Sequence, residues 1–179
     1  MLTARDITTG FFKALENMAD RAKLELAEQG HRASGRGIDS IEAKITEVAI
    51  TRIVGVILAN DYLIPVDTGV PAARVPFSGV GGGGTSKYIQ GLINWINIIK
   101  PGLSAPENKS FAFAIAYTHK KQGIPTSKSY AFSKNGRRTG WIAAGLAATQ
   151  ADFEKDLEVL TGIVDAFENA LISGQRIAT

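Results

Sequence analysis

The glycine run Gly79-Val80-Gly81-Gly82-Gly83-Gly84 fits the spacing G-x-G-x-x-G. In such a loop, backbone amides and a helix N-terminus can cradle a pyrophosphate. The loop must be fed by a strand, and an acid about 20 residues on must reach the ribose. Here Ala73-Arg74-Val75-Pro76-Phe77 precedes the run, with a proline ill suited to a central strand, and the distant position falls near Ser104. A phosphate loop of the G-K-[ST] type fails as well, because Thr85 and Ser86 separate the glycines from Lys87 and Tyr88 follows it. Neither a dinucleotide nor a nucleoside triphosphate is expected here, and no cofactor is assigned.

The other chemistry-bearing residues lack the partners they need. His31 and His119 stand in different elements, with no acid or second histidine at metal-ligand spacing. The absence of cysteine removes thiolate metal sites and disulfides, in keeping with synthesis in a reducing cytosol. No G-x-S-x-G elbow places a serine beside either histidine. Asp152, Glu154, Asp156 and Glu158 could pair for acid–base work or hold Mg²⁺, but their alternation with Phe153 and Leu157 reads as the solvated side of a helix. No catalytic residue and no metal ligand is assigned, and the chain is not expected to be an enzyme.

One local concentration of cations remains. Asn135-Gly136-Arg137-Arg138-Thr139-Gly140-Trp141 lies near Lys120, Lys121, Lys128 and Lys134 and interleaves Tyr130, Phe132 and Trp141. Cations with aromatics grip phosphates and stack bases, which would make 120–141 a nucleic-acid-binding segment. The other reading is a basic loop that meets an acidic neighbouring subunit. Lys120, Lys121, Lys134, Arg137, Arg138 and Trp141 are the candidate contacts under both readings. The whole chain argues little for nucleic acid, since 20 Lys and Arg against 17 Asp and Glu leave only +3.

The elements that must position these residues follow from hydropathy. Ile7, Phe11, Leu15, Met18, Ala22 and Leu26 recur at helical spacing, and Gly30 stops the pattern. Alternation through Ile41, Ala43 and Ile45, then β-branched residues from Ile50 to Ile57, predicts antiparallel strands near 41–50 and 53–59. Prolines and glycines over 65–87 predict a loop. A helix is expected through Ile89–Ile99, capped by Thr85 or Ser86 and stopped by Pro101-Gly102. Ser104-Ala105-Pro106-Glu107 has capping-box spacing and opens another helix that ends at Gly123. Segment 124–140 is expected to be a basic loop or hairpin arm. Phe153, Leu157, Leu160, Val164, Phe167 and Leu171 alternate steps of four and three along a long helix at 149–173, with acids in its first turns.

At 179 residues and 45% hydrophobic content, one domain is expected. The fold class is α+β, a small antiparallel sheet or hairpin packed by an N-terminal helix, two central helices and a long C-terminal helix. The first residues, Met1-Leu2-Thr3-Ala4-Arg5-Asp6, hold no apolar leader core, and apolar runs fall far short of the ~20 residues of a spanning helix. Neither secretion nor membrane contact is expected.

The chain carries an ordered set of short words: Asp61-Tyr62-Leu63-Ile64-Pro65-Val66-Asp67-Thr68-Gly69, then Ala72-Ala73-Arg74-Val75-Pro76-Phe77, then Tyr88-Ile89 and Leu92-Ile93-Asn94-Trp95-Ile96. Ser110-Phe111-Ala112-Phe113-Ala114-Ile115-Ala116 and Lys121-Gln122-Gly123-Ile124-Pro125 complete the set. In this order they resemble tail-completion proteins, the head-to-tail joining, neck or connector proteins of tailed bacteriophages. The likeness covers roughly 40–126; it departs at Pro76-Phe77, where the family has Pro-Pro, and in the long C-terminal helix. It implies a non-catalytic virion subunit, made in the host cytoplasm, that forms a ring with copies of itself. Its neighbours would be portal, connector or tail proteins, with DNA passing through the channel. In that frame Tyr62, Asp67, Thr68 and Gly69 read as a turn closing a strand. Pro76 belongs to the following loop, and Trp95 and Phe111 read as core anchors.

Overall fold

The computed structural model describes residues 4–49, 52–79 and 86–177. Their elements are α1 (Ala4–Glu28), α2 (Arg36–Asp39), β1 (Glu42–Ala49), β2 (Arg52–Leu58), α3 (Leu63–Thr68), α4 (Lys87–Ile99), α5 (Ala105–Gln122) and α6 (Trp141–Ile177). Short 3-10 turns stand at Ala72–Arg74 and Ser127–Phe132. The class is α+β, a two-stranded antiparallel sheet with helices. The chain divides into two compact units. One comprises residues 1–25, 39–59 and 142–179, and the other 26–38 and 60–141.

In the first unit, α1 carries the stripe its sequence predicts. Leu15 and Ala22 are buried, and Ile7, Phe11 and Met18 are half-buried. The hairpin pairs Glu42 with Leu58 and Ala49 with Arg52, and Thr46 forms a bulge between Ile45 and Glu47. That extra residue ends the inward alternation of β1, so Val48 is left exposed. Gly55 of β2 lies against Leu15 and Phe11 of α1, where an added Cβ would come within 2.6 Å of the leucine. Further contact comes from α6, whose Phe153 ring meets Phe11 edge-on at 6.3 Å.

The C-terminal helix begins eight residues before the predicted 149, at Trp141, and its first turn holds no acid. Asp152 to Glu158 therefore sit well inside the helix, beyond the reach of the N-terminal dipole. The early part is Ala- and Gly-rich, and it packs by closeness rather than bulk. An added Cβ on Gly145 would lie 2.9 Å from Ala22 Cα.

In the second unit, α4 and α5 form an antiparallel pair around Ile89, Ile96, Ala112 and Ala116. Full burial of each isoleucine contributes about 1.5–3 kcal/mol, with the alanines opposite letting the helices approach. Ser86 caps α4, its Oγ accepting from Ile89 N at 3.3 Å, while Thr85 and the run Gly81–Gly84 lie outside the described residues. Glu107 accepts from Ser104 N at 2.8 Å and from Ser104 Oγ at 2.6 Å at the start of α5. These bonds, with the charge of Lys100 nearby, hold its carboxyl below the usual range.

Two sequence expectations change here. The 65–87 segment is not wholly irregular, because α3 runs through Pro65 to Thr68. Proline is tolerated there since the first helical turn has no intrahelical acceptor for its missing N–H. Segment 124–140 is no hairpin: it holds the 3-10 turn Ser127–Phe132, and the pairing it makes is a single antiparallel bridge, Val70 with Ile124.

Candidate functional site

The family-like words divide into a structural clamp and an exposed surface. The clamp is built by Asp67-Thr68-Gly69-Val70 and Gly123-Ile124. Val70 N donates to Ile124 O at 2.7 Å and Ile124 N to Val70 O at 2.8 Å. Gly69 (φ 74°, ψ 173°) and Gly123 (φ 82°, ψ −169°) flank this bridge in a backbone region that essentially only glycine adopts. Asp67 O accepts from Gly140 N at 2.8 Å, and Thr68 Oγ1 donates to Ile64 O at 3.1 Å. Tyr62 does not close a strand. It precedes α3, half exposed, with its hydroxyl 2.6 Å from where a Cβ on Gly37 would stand.

Pro76 is exposed after the 3-10 turn, and Phe77 beside it meets Tyr117 edge-on at 4.9 Å and Phe113 at 6.0 Å. Trp95 and Phe111 are not core anchors, being 41% and 45% exposed. Trp95 lies one residue before the buried Ile96, about 100° round the helix, and that rotation takes it off the core side. Tyr88 OH with His119 Nδ1 at 2.6 Å and Asn108 Nδ2 with Asn97 Oδ1 at 2.6 Å fix the α4–α5 register, which sets Phe111 level with Trp95. Ile98 and Ile99 are also exposed, and Lys100 Nζ lies 4.9 Å over the Phe111 ring.

The basic candidates separate in the same way. Lys121, Lys134 and Arg137 are exposed and Lys120 is half-buried. Arg138 is half-buried and its Nη1 donates to Gln29 O at 2.5 Å, and Trp141 is buried at 3% exposure, which takes its ring away from the surface. Lys134 N donates to Glu28 O at 2.8 Å, and His31 Nε2 lies 3.0 Å from Arg138 O. These bonds tie 134–138 to the end of α1. The cations and aromatics that 120–141 presents outward are Lys121, Lys128, Lys134 and Arg137 with Tyr130 and Phe132, the last 75% exposed.

The two imidazoles serve packing. Burial and the Arg138 charge hold His31 below its ordinary 6.5, against the hydrogen bond to Arg138 O, and burial alone lowers His119. An imidazole held low binds its proton more readily in the unfolded chain, so acid favours unfolding. Both contributions are complete above about 6.5 and are lost as pH falls from there through the lowered values. Urea midpoints should therefore fall between pH 7.5 and pH 5, and His31→Gln/His119→Gln should flatten that fall.

Among the described residues no cluster of His, Asp or Glu could hold a metal ion, and no helix is long and apolar enough to cross a membrane. Asp152, Glu154, Asp156 and Glu158 of α6 are exposed. No family model, no curated protein and no solved structure matches the chain.

Proposed function

We propose that this chain is a structural, non-catalytic subunit that assembles with copies of itself into a ring at the head-to-tail junction of a tailed phage, next to portal, connector or tail proteins. The phage setting rests on the ordered likeness over 40–126. Self-assembly rests on one observation, the exposed apolar side of the α4–α5 pair formed by Trp95, Ile98, Ile99 and Phe111. Single exposed apolar residues are ordinary, whereas adjacent ones mark surfaces that another molecule covers.

The nucleic-acid reading of 120–141 is the weaker one, because Arg138 and Trp141 are engaged inside the fold. Multi-angle light scattering is expected to give a multimer of defined mass, with annular particles in negative-stain images and the chain at the neck of purified virions. A monomer at high concentration, absent from virions, would overturn the reading.

A further inference from the structure

Between α1 and α6 runs a groove whose origin is in the sequence. At one end Gly145 and Ala22 bring the helices to backbone contact, and at the other the Phe11 and Phe153 rings stand between them. Small residues in the interval, Ala14, Ala148 and Thr149, leave two adjoining hollows of about 470 and 330 Å³ that share Asn17, Thr149 and Asp152. Met18 and Phe153 supply apolar lining. Asp20, Asp152 and Asp156 line the groove together with Arg21 and Lys155. Along α6 the exposed charges from 152 to 158 are four acids and Lys155.

The complementary feature lies in the other unit. From 108 to 151 the chain contains no Asp or Glu, and Lys120, Lys121, Lys128, Lys134, Arg137 and Arg138 fall in that stretch. Phe132 is the most exposed large apolar side chain described, and its backbone is held in place. Lys134 N bonds to Glu28 O on one side, and Gly30 packs against Phe132 O on the other, with no room there for a Cβ. An exposed aromatic on a tethered backbone is a preorganised anchor, since little loop freedom is left to lose on binding.

We propose that Phe132, with Lys134 and Arg137 beside it, seats in the α1–α6 groove of a second copy, the cations facing Asp152 and Asp156. The proposal rests on the reading of the chain as a self-assembling subunit and adds to it a contact separate from the exposed α4–α5 side. Anchor and groove are different surfaces, so a copy bound through one of them can offer the other to a third copy. Head-to-tail repetition of such a contact closes a ring or extends a filament, whereas reciprocal seating of two copies would close a two-fold dimer.

Charge exchange tests this on the full chain. Lys134→Glu/Arg137→Glu and Asp152→Lys/Asp156→Lys should each weaken association roughly tenfold or more, read by sedimentation velocity. Mixing the two variants should restore multimers, because each reversed loop meets a reversed groove and each native loop a native one. The same logic restores assembly in the fourfold variant, which also shows that the changes leave the fold intact. Lys134→Cys/Asp152→Cys, oxidised with copper phenanthroline, should give a ladder of covalent multimers in a chain with no other cysteine. Multimers unaffected by either reversal, with no ladder, would overturn this interface while leaving self-assembly standing. A wild-type chain monomeric at every concentration would overturn both. Loss of duplex-DNA binding on reversing Lys134 and Arg137, with multimer mass unchanged, would overturn the interface in favour of nucleic acid.

Discussion

Gly69→Ala is expected to lower the thermal midpoint by roughly 10 °C, and Gly123→Ala by a similar amount. Two costs add. Each glycine occupies a region of backbone space that a side chain enters only at about 1–3 kcal/mol. Each added methyl would also meet a carbonyl that cannot swing aside, Ile124 O at 2.8 Å for Gly69 and Val70 O at 2.7 Å for Gly123. Those carbonyls are the acceptors of the bridge, so relief of the contact breaks the hydrogen bonds that close the clamp. Gly136, also at positive φ but with open space around it, provides the comparison. Its alanine variant should lose only about 1 kcal/mol by the backbone term. Equal losses at Gly69 and Gly136 in parallel thermal melts would remove the clamp from the explanation.

The second large effect is expected at Gly145. Valine there should cost about 2–3 kcal/mol, because its branched side chain must displace Ala22 backbone atoms at 2.9 and 3.2 Å. Gly145→Ala should come out milder, the same contact being partly offset by the ~1 kcal/mol that alanine gains over glycine in a helix. Gly162 of the same helix has nothing within 4 Å of an added Cβ, so Gly162→Ala should stabilise by about 0.5–1 kcal/mol. Urea midpoints of the three variants decide the matter, and a Gly145→Val protein as stable as the wild type would show that α1 and α6 do not need backbone contact there.

Periodicity made α1, the hairpin, α4 and α5 readable in the sequence, because each buries a regular stripe and ends at a residue with local stopping chemistry. The start of α6 was not readable this way. Trp141 to Thr149 is rich in alanine and glycine, and a search for large apolar residues at helical spacing passes over a surface that packs by being small. The aromatics misled in the opposite sense. Trp95 and Phe111 look like anchors by type, but the core angle belongs to Ile96 and Ala112 beside them. Arg138 and Trp141 were assigned outward because cations and aromatics shared a segment. Trp141 is buried, and Arg138 is half-buried with its guanidinium donating to Gln29 O, more than a hundred residues away in sequence, a partnership no local pattern encodes. The groove had a faint signal in Ala14, Ala148 and Thr149, which becomes legible only once α1 and α6 are known to be neighbours.

The Val70–Ile124 bridge has one more consequence. Everything from 71 to 123, including α4 and α5, leaves and returns through a single doorway whose two posts are already hydrogen-bonded to each other. Lengthening a flexible stretch within such a closed segment costs only about 0.6 kcal/mol per doubling. The helical pair is thus a cassette. It can be exchanged, extended or made to carry a reporter domain while the clamp keeps its own geometry, and that freedom would allow its exposed face to be refitted to a new partner.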